Sequence, residues 1–204
     1  MKINEVIFFE KEAIVKFLQN HGKEKTKDYE LAATLIIHHF CEKQWGEKCW
    51  IGVRIKEKYL KLLPAVNSKE EVLLEKIAEF LRNCVDEDSL IDFVVVKEAN
   101  IGKARGMIFQ VKRFGIGRIK KNTEEMIKYL NSDKFKLPKT DINLLICLDD
   151  GVNIDTERLY TGVNMDKFPF NRILFTWLSA ERVYIKDIYP QGNTESYPII
   201  DLYS

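Results

Sequence analysis

Two stretches, SLIDFVVVKE (89–98) and GMIFQVKRFG (106–115), decide how this chain reads. Both are rich in β-branched and aromatic residues, and both predict strands. A carboxylate (Asp92), an amide (Gln110) and an ammonium (Lys112) interrupt them. A charge set among buried strand residues is costly unless it is paired or binds a metal. Side chains alternate along a strand, so Gln110 and Lys112 share one face and Val111 takes the other. With a loop over about 98–105 the two runs form a hairpin, and a neighbouring strand could set Asp92 beside them. Three interruptions in one hairpin point to a site. The plainer alternative is that Asp92 caps a strand end while Gln110 and Lys112 lie on a solvent-facing surface, as is common in antiparallel sheets.

Outward from this pair, residues 4–20 place Val6, Ile7, Ile14, Phe17 and Leu18 at helical spacing and predict a helix ending near Gly22. Residues 28–43 (DYELAATLIIHHFCEK) predict a central helix, apolar on much of its circumference. Residues 49–56 alternate as a strand. Ser68 to Glu71 forms a capping box that opens a helix to about Val85. Asn122-Thr123-Glu124-Glu125 starts a short helix ending near Asn131. The run INLLICL (142–148) reads as a strand buried on both faces, closed by Asp149-Asp150-Gly151 turn chemistry. Residues 172–178 and 182–188 predict two more strands, and the last stretch looks irregular. The order implies an α/β chain, a mixed sheet flanked by helices with an N-terminal helical portion.

The 204 residues most simply make one domain, two small ones being the alternative, with the helical portion at about 1–48 and the core at about 49–190. Hydrophobic residues are 46% and charged residues 31%, an ordinary globular composition. The net charge of +1 gives the molecule as a whole no strong pull on nucleic acid. No apolar stretch approaches the length of a membrane span. The N-terminus carries acids and lacks a signal-peptide cleavage site. Cys41, Cys49, Cys84 and Cys147 form no CxxC pair and read as reduced core thiols of a cytoplasmic protein. A zinc site from Cys41, Cys49 and His38 or His39 lacks the usual short ligand spacing, and the two adjacent histidines point about 100° apart on a helix.

An Asp carboxylate and a Gln carbonyl are hard oxygen donors suited to Mg²⁺ or Mn²⁺. Lys112 could orient a water and neutralise a phosphate. This arrangement, Ile91-Asp92-Phe93 followed by Gln110-Val111-Lys112-Arg113, resembles the PD-(D/E)xK nuclease superfamily. It is similar in particular to its Holliday-junction resolvases and type IV restriction enzymes. The resemblance covers about residues 88–150. It implies a restriction endonuclease-like fold and metal-dependent hydrolysis of DNA, with Asp92 and Gln110 as metal ligands and Lys112 as the catalytic lysine. Gln110 takes the place usually held by Glu. An acid on a preceding helix completes the family's site; Glu30, in Tyr29-Glu30-Leu31, is preferred over Glu70. Cleavage of both strands by such a half-site calls for pairing, so a homodimer is compatible with this reading. A non-catalytic member that binds nucleic acid or a protein partner on the same fold is the alternative.

Charge distribution adds to the case. Between Ala99 and Lys121 lie seven basic residues and no acid: Lys103, Arg105, Lys112, Arg113, Arg118, Lys120 and Lys121. The segment carries +7 against +1 for the chain, leaving −6 for the remainder. Such local asymmetry is the footprint of phosphate contacts, although a solvated basic loop would read the same way.

Overall fold

A computed structural model describes residues 6–9, 11, 12, 15, 25–54, 92–97, 106–115, 122–132, 135, 139–149, 152–165 and 168–202. The chain is mixed α/β. It divides into two compact units, Met1–Ile108 with Leu202–Ser204, and Phe109–Asp201.

The first unit contains β1 (Val6–Phe9), α1 (Lys25–Trp45), β2 (Cys49–Arg54), β3 (Phe93–Lys97) and the start of β4 (Gly106–Phe114). The strands lie in the order β1-β2-β3-β4. β2 is antiparallel to both β1 and β3, with Phe9 opposite Ile51 and Ile51 opposite Val95. Helix α1 packs on β2 and β3. Its residues Ala33 to Cys41 are buried without a break, as the apolar circumference of the sequence predicts. Gly46, at φ +63°, ends the helix in the left-handed conformation, and its N–H reaches Glu42 O at 2.8 Å. The turn into β2 is then clamped twice. His38 Nε2 donates to the Cys49 carbonyl at 2.9 Å, and Cys49 N–H donates to Glu42 Oε1 at 3.1 Å. His38 and His39 are both buried.

The helix predicted over 4–20 is corrected at its start, because Val6–Phe9 is a strand. Val-Ile-Phe-Phe also fits a helical period, but four consecutive β-branched and aromatic residues favour a pleated strand once β2 offers a partner. Residues 11, 12 and 15 are helical. The predicted helix 68–85 lies outside the described residues.

The second unit orders its strands β4-β5-β6-β7-β8. They are the remainder of β4, β5 (Ile142–Leu148), β6 (Arg172–Ser179), β7 (Arg182–Tyr189) and β8 (Thr194–Pro198). β5 and β6 are parallel; β6–β7 and β7–β8 are antiparallel. β4 and β5 end side by side, where Asp149 N–H donates to Phe114 O at 3.2 Å. Between them runs α2 (Thr123–Leu130), started where the sequence marks it: Asn122 Oδ1 accepts from Glu125 N–H at 3.1 Å. Met126 and Leu130, four residues apart, face inward. A further short helix, α3 (Thr156–Gly162), was not foreseen; Asp155 caps it through Glu157 and Arg158 N–H. The two helices lie side by side. Asp155 N–H donates to Thr123 Oγ1 (2.8 Å), and a Cβ on Gly162 would meet Ile127 Cδ1 at 2.5 Å.

Both helices cover one face of the sheet, closing a core that includes Phe114, Leu144, Ile146, Leu159, Phe170 and Phe175. The C-terminal stretch, predicted irregular, instead forms β8 and a 3₁₀ turn at Ile199–Leu202. Its residues carry little apolar signal because β8 is only partly buried.

At the irregularity between Ile173 and Leu174, Arg172 grips Asp187 with two hydrogen bonds, Nε to Oδ1 at 2.5 Å and Nη2 to Oδ2 at 2.6 Å. The side chains are 16% and 15% exposed. Removing one partner of such a pair strands the other charge, whereas replacing both by apolar residues does not. Urea unfolding should therefore rank Arg172→Met below the double variant Arg172→Met/Asp187→Leu. The single change should cost roughly 2–3 kcal/mol, less than for a fully buried pair because some solvent screening remains.

Candidate active site

β4 is the strand on which sequence and structure converge. Phe109, Gln110 and Val111 are buried in succession, so the strand is covered on both faces at this point. Gln110 is 7% exposed, which places its amide inside the protein and not on a solvent-facing surface. Lys112, on the same face, is half-buried. Phe114, two residues further, enters the core beneath α2. One strand face therefore carries in sequence a buried neutral oxygen donor, a half-buried cation and an apolar anchor. Burying an amide costs about 1–3 kcal/mol unless it is hydrogen-bonded.

Asp92 immediately precedes β3 in the first unit and is half-buried. Gln110 and Lys112 belong to the second unit. Glu30 lies within α1, and its side chain is outside the described residues. Glu70, Lys103, Arg105, Arg118, Lys120, Lys121 and Cys84 also lie outside them.

Arg113 is described. It faces away from Lys112 and is 55% exposed, and its Nε donates to Asp149 Oδ1 at 2.7 Å. That bond raises the Arg113 pKa above its ordinary value. The sequence reads Asp149 as turn chemistry in preference to a metal ligand. Asp149 does make that turn, accepting from Val152 N–H at 3.2 Å. It also lies so close to Gly115 that a Cβ there would sit 1.9 Å from Oδ2. The sequence signal for this contact was weak: a glycine just past one strand and an aspartate just past the next.

The donor chemistry of Asp92 and Gln110 suits a hard divalent cation. Among the described residues, no group of three or more His, Cys, Asp or Glu side chains is placed to hold a metal. Zinc in particular finds no such group around Cys41, Cys49 and the two histidines. Cys41, Cys49 and Cys147 are buried and outside any disulfide. Burial first, then the neighbouring Glu42, pushes the Cys49 thiol up to about 12. Burial also raises Cys147. Neither is therefore a thiolate nucleophile at neutral pH.

Two outcomes follow. An unfolded Cys49 ionises near its ordinary 9.0 while the folded one resists until about 12. Its contribution to stability is thus complete below pH 9 and is lost as the pH rises through that window; Cys49→Ala should flatten the alkaline limb of a denaturant-midpoint profile. Gly115→Ala should destabilise by roughly 1–3 kcal/mol in the same assay through overpacking, and adding Asp149→Ala should recover part of the loss. In comparisons with known proteins, the chain matches no protein-family model, no curated protein and no solved structure.

Proposed function

We propose that this chain is a metal-dependent nuclease of the PD-(D/E)xK type, hydrolysing DNA phosphodiester bonds on a restriction endonuclease-like fold. The observation that carries the reading is on β4: a buried Gln110 and a half-buried Lys112 on one strand face. Two features support it. A strand–helix–strand unit follows the motif, as the family pattern requires, and Asp92 leads into the preceding strand β3. In this reading Asp92 and Gln110 hold Mg²⁺ or Mn²⁺, with Glu30 as the upstream acid. The cation supplies charge neutralisation at the phosphate and makes a water more acidic. Lys112 orients that water and offsets the charge that grows on the phosphoryl oxygens. The water oxygen bonds to phosphorus, the bridging P–O bond breaks, and the leaving oxygen takes a proton. Lys103, Arg105, Arg113, Arg118, Lys120 and Lys121 hold the backbone electrostatically.

The neutral amide at position 110 favours one other reading. It binds a divalent cation less tightly than a carboxylate, which suits a non-catalytic chain that binds nucleic acid or a partner. Plasmid relaxation in Mg²⁺ or Mn²⁺ separates the two. Wild type should nick the plasmid, and Lys112→Ala should slow nicking by roughly 10²–10³-fold, the usual effect of losing one charge-stabilising donor. Equal behaviour of wild type and Lys112→Ala would remove the nuclease reading. Salt-sensitive DNA binding without calorimetric uptake of Mg²⁺ or Mn²⁺ would then favour the binding protein.

A further inference from the structure

The strands β6, β7 and β8 carry a second chemically distinctive surface, remote in sequence from the motif. Their antiparallel register lines up three rows of side chains on the face that α2 and α3 partly cover. The rows are Phe175–Lys186–Thr194, Trp177–Tyr184–Ser196 and Ser179–Arg182–Pro198. Phe175 belongs to the core under the helices. Beyond it the face is partly open, since Trp177, Tyr184, Arg182, Lys186 and Ser196 are all half-buried.

Trp177 and Tyr184 stack in the middle row, with ring centroids 5.3 Å apart and planes 8° from parallel. A cation flanks the pair on each side along β7. Arg182 and Lys186 are four residues apart, roughly 13 Å of strand. Both are held in place. Arg182 donates to Ser196 Oγ from Nε at 3.2 Å and from Nη2 at 3.0 Å, and to Ser196 O at 3.0 Å. Lys186 Nζ donates to Thr156 Oγ1, in the first turn of α3, at 2.9 Å. These partners are neutral, so neither positive charge is cancelled by them. None of the nine positions in the three rows is a carboxylate. Glu195 and Asp187 fall on the alternate positions and face the other way.

An aromatic pair between two pre-positioned cations recognises a ligand that combines a flat ring with negative charge. We propose that this face of β6–β8 binds single-stranded nucleic acid, with a base on the Trp177–Tyr184 pair and the flanking phosphates on Arg182 and Lys186. An unpaired strand is specified because a duplex keeps its base faces inside its own stack, whereas a single strand can lay them on aromatic side chains. Electrostatic complementarity fixes the sign of the partner, and the ring pair fixes its class. The proposal shares its ligand class with the nuclease reading but uses none of its residues.

The test is anisotropy of a fluorescein-labelled oligothymidylate of about twelve nucleotides, a typical single-strand site size. EDTA is present throughout, so nothing is cut. Tyr184→Ala should weaken binding about tenfold and Tyr184→Phe should not, as expected for loss of one base–aromatic stack. Arg182→Gln/Lys186→Gln, which leaves the aromatic pair intact, should weaken binding and reduce the slope of log affinity against log salt by about 1.4, two single-strand phosphate contacts. A duplex of the same length should compete at least about tenfold less well. Wild-type affinity in both Tyr184→Ala and Arg182→Gln/Lys186→Gln, or equal affinity for duplex, overturns the proposal. Plasmid nicking by Lys112→Ala in Mg²⁺, measured separately, keeps the two readings apart. If the β7 variants bind normally while Lys112→Ala abolishes nicking, this surface is wrong and the nuclease stands. The reverse pattern removes the nuclease and leaves the surface.

Discussion

The second unit depends on one constraint: β5 has no solvent face. Leu144, Leu145 and Ile146 are each completely buried, and Asn143 and Cys147 nearly so. Residues on both faces of one strand must therefore find cover. On one side α2 and α3 supply it, and their placement follows from that demand more than from their own propensities, since helices of 8 and 7 residues are marginal in isolation. Each large apolar side chain buried there contributes about 1.5–3 kcal/mol of transfer free energy, so the strand and its neighbours outweigh any single polar contact in the unit. The C-terminal end of β5 also fixes the end of β4, through Asp149 against Phe114 and Gly115.

That arrangement explains why Gln110 is costly and therefore informative. β4 lies beside β5 and shares its two-sided burial at Phe109 to Val111. An isosteric apolar residue at 110 would satisfy packing without desolvating an amide. The polar pair Arg172–Asp187 is another departure from an apolar interior, and it has a structural reason, because it bridges the strands where their register shifts. Gln110 is buried and Lys112 half-buried on one face of β4. A polar group kept inside despite that cost is where the proposed chemistry is placed.

Sequence periodicity and chemistry disclosed much of this, and the failures have physical causes. INLLICL announced a fully buried strand because a run that is apolar at every position but Asn143 has few other homes. The short helix α2 was legible to its caps, because Asn122 and the two glutamates after it solve the problem of unpaired N–H groups locally. Val6–Phe9 misled because its pattern suits two periods, and the choice between them was made by pairing with residues 51–54, far along the chain. β8 was silent because none of its residues is fully buried and its sequence, TESYP, carries little apolar signal; its pairing with β7 defines it. Around the site, alternation correctly placed Gln110 and Lys112 together. The closeness of Asp149 to Arg113 and Gly115 was invisible, because it arises from residues at two strand ends meeting in space, Arg113 and Asp149 being 36 apart in number.

β8 also closes its side of the unit in a way that bears on how molecules meet in a crowded solution. An outermost strand offers unpaired backbone groups to any extended chain that drifts past, and this is the common seed of aggregation. Here that strand is only five residues long, it carries Glu195, and it stops at Pro198, which has no N–H to offer. The chain then turns away into the 3₁₀ turn, with Ile199 N–H already committed to Glu181 O at 2.9 Å. A foreign strand would find a short template, a charge and a missing donor. The same stretch whose weak apolar pattern hid it from prediction is, for that reason, a poor surface for self-association.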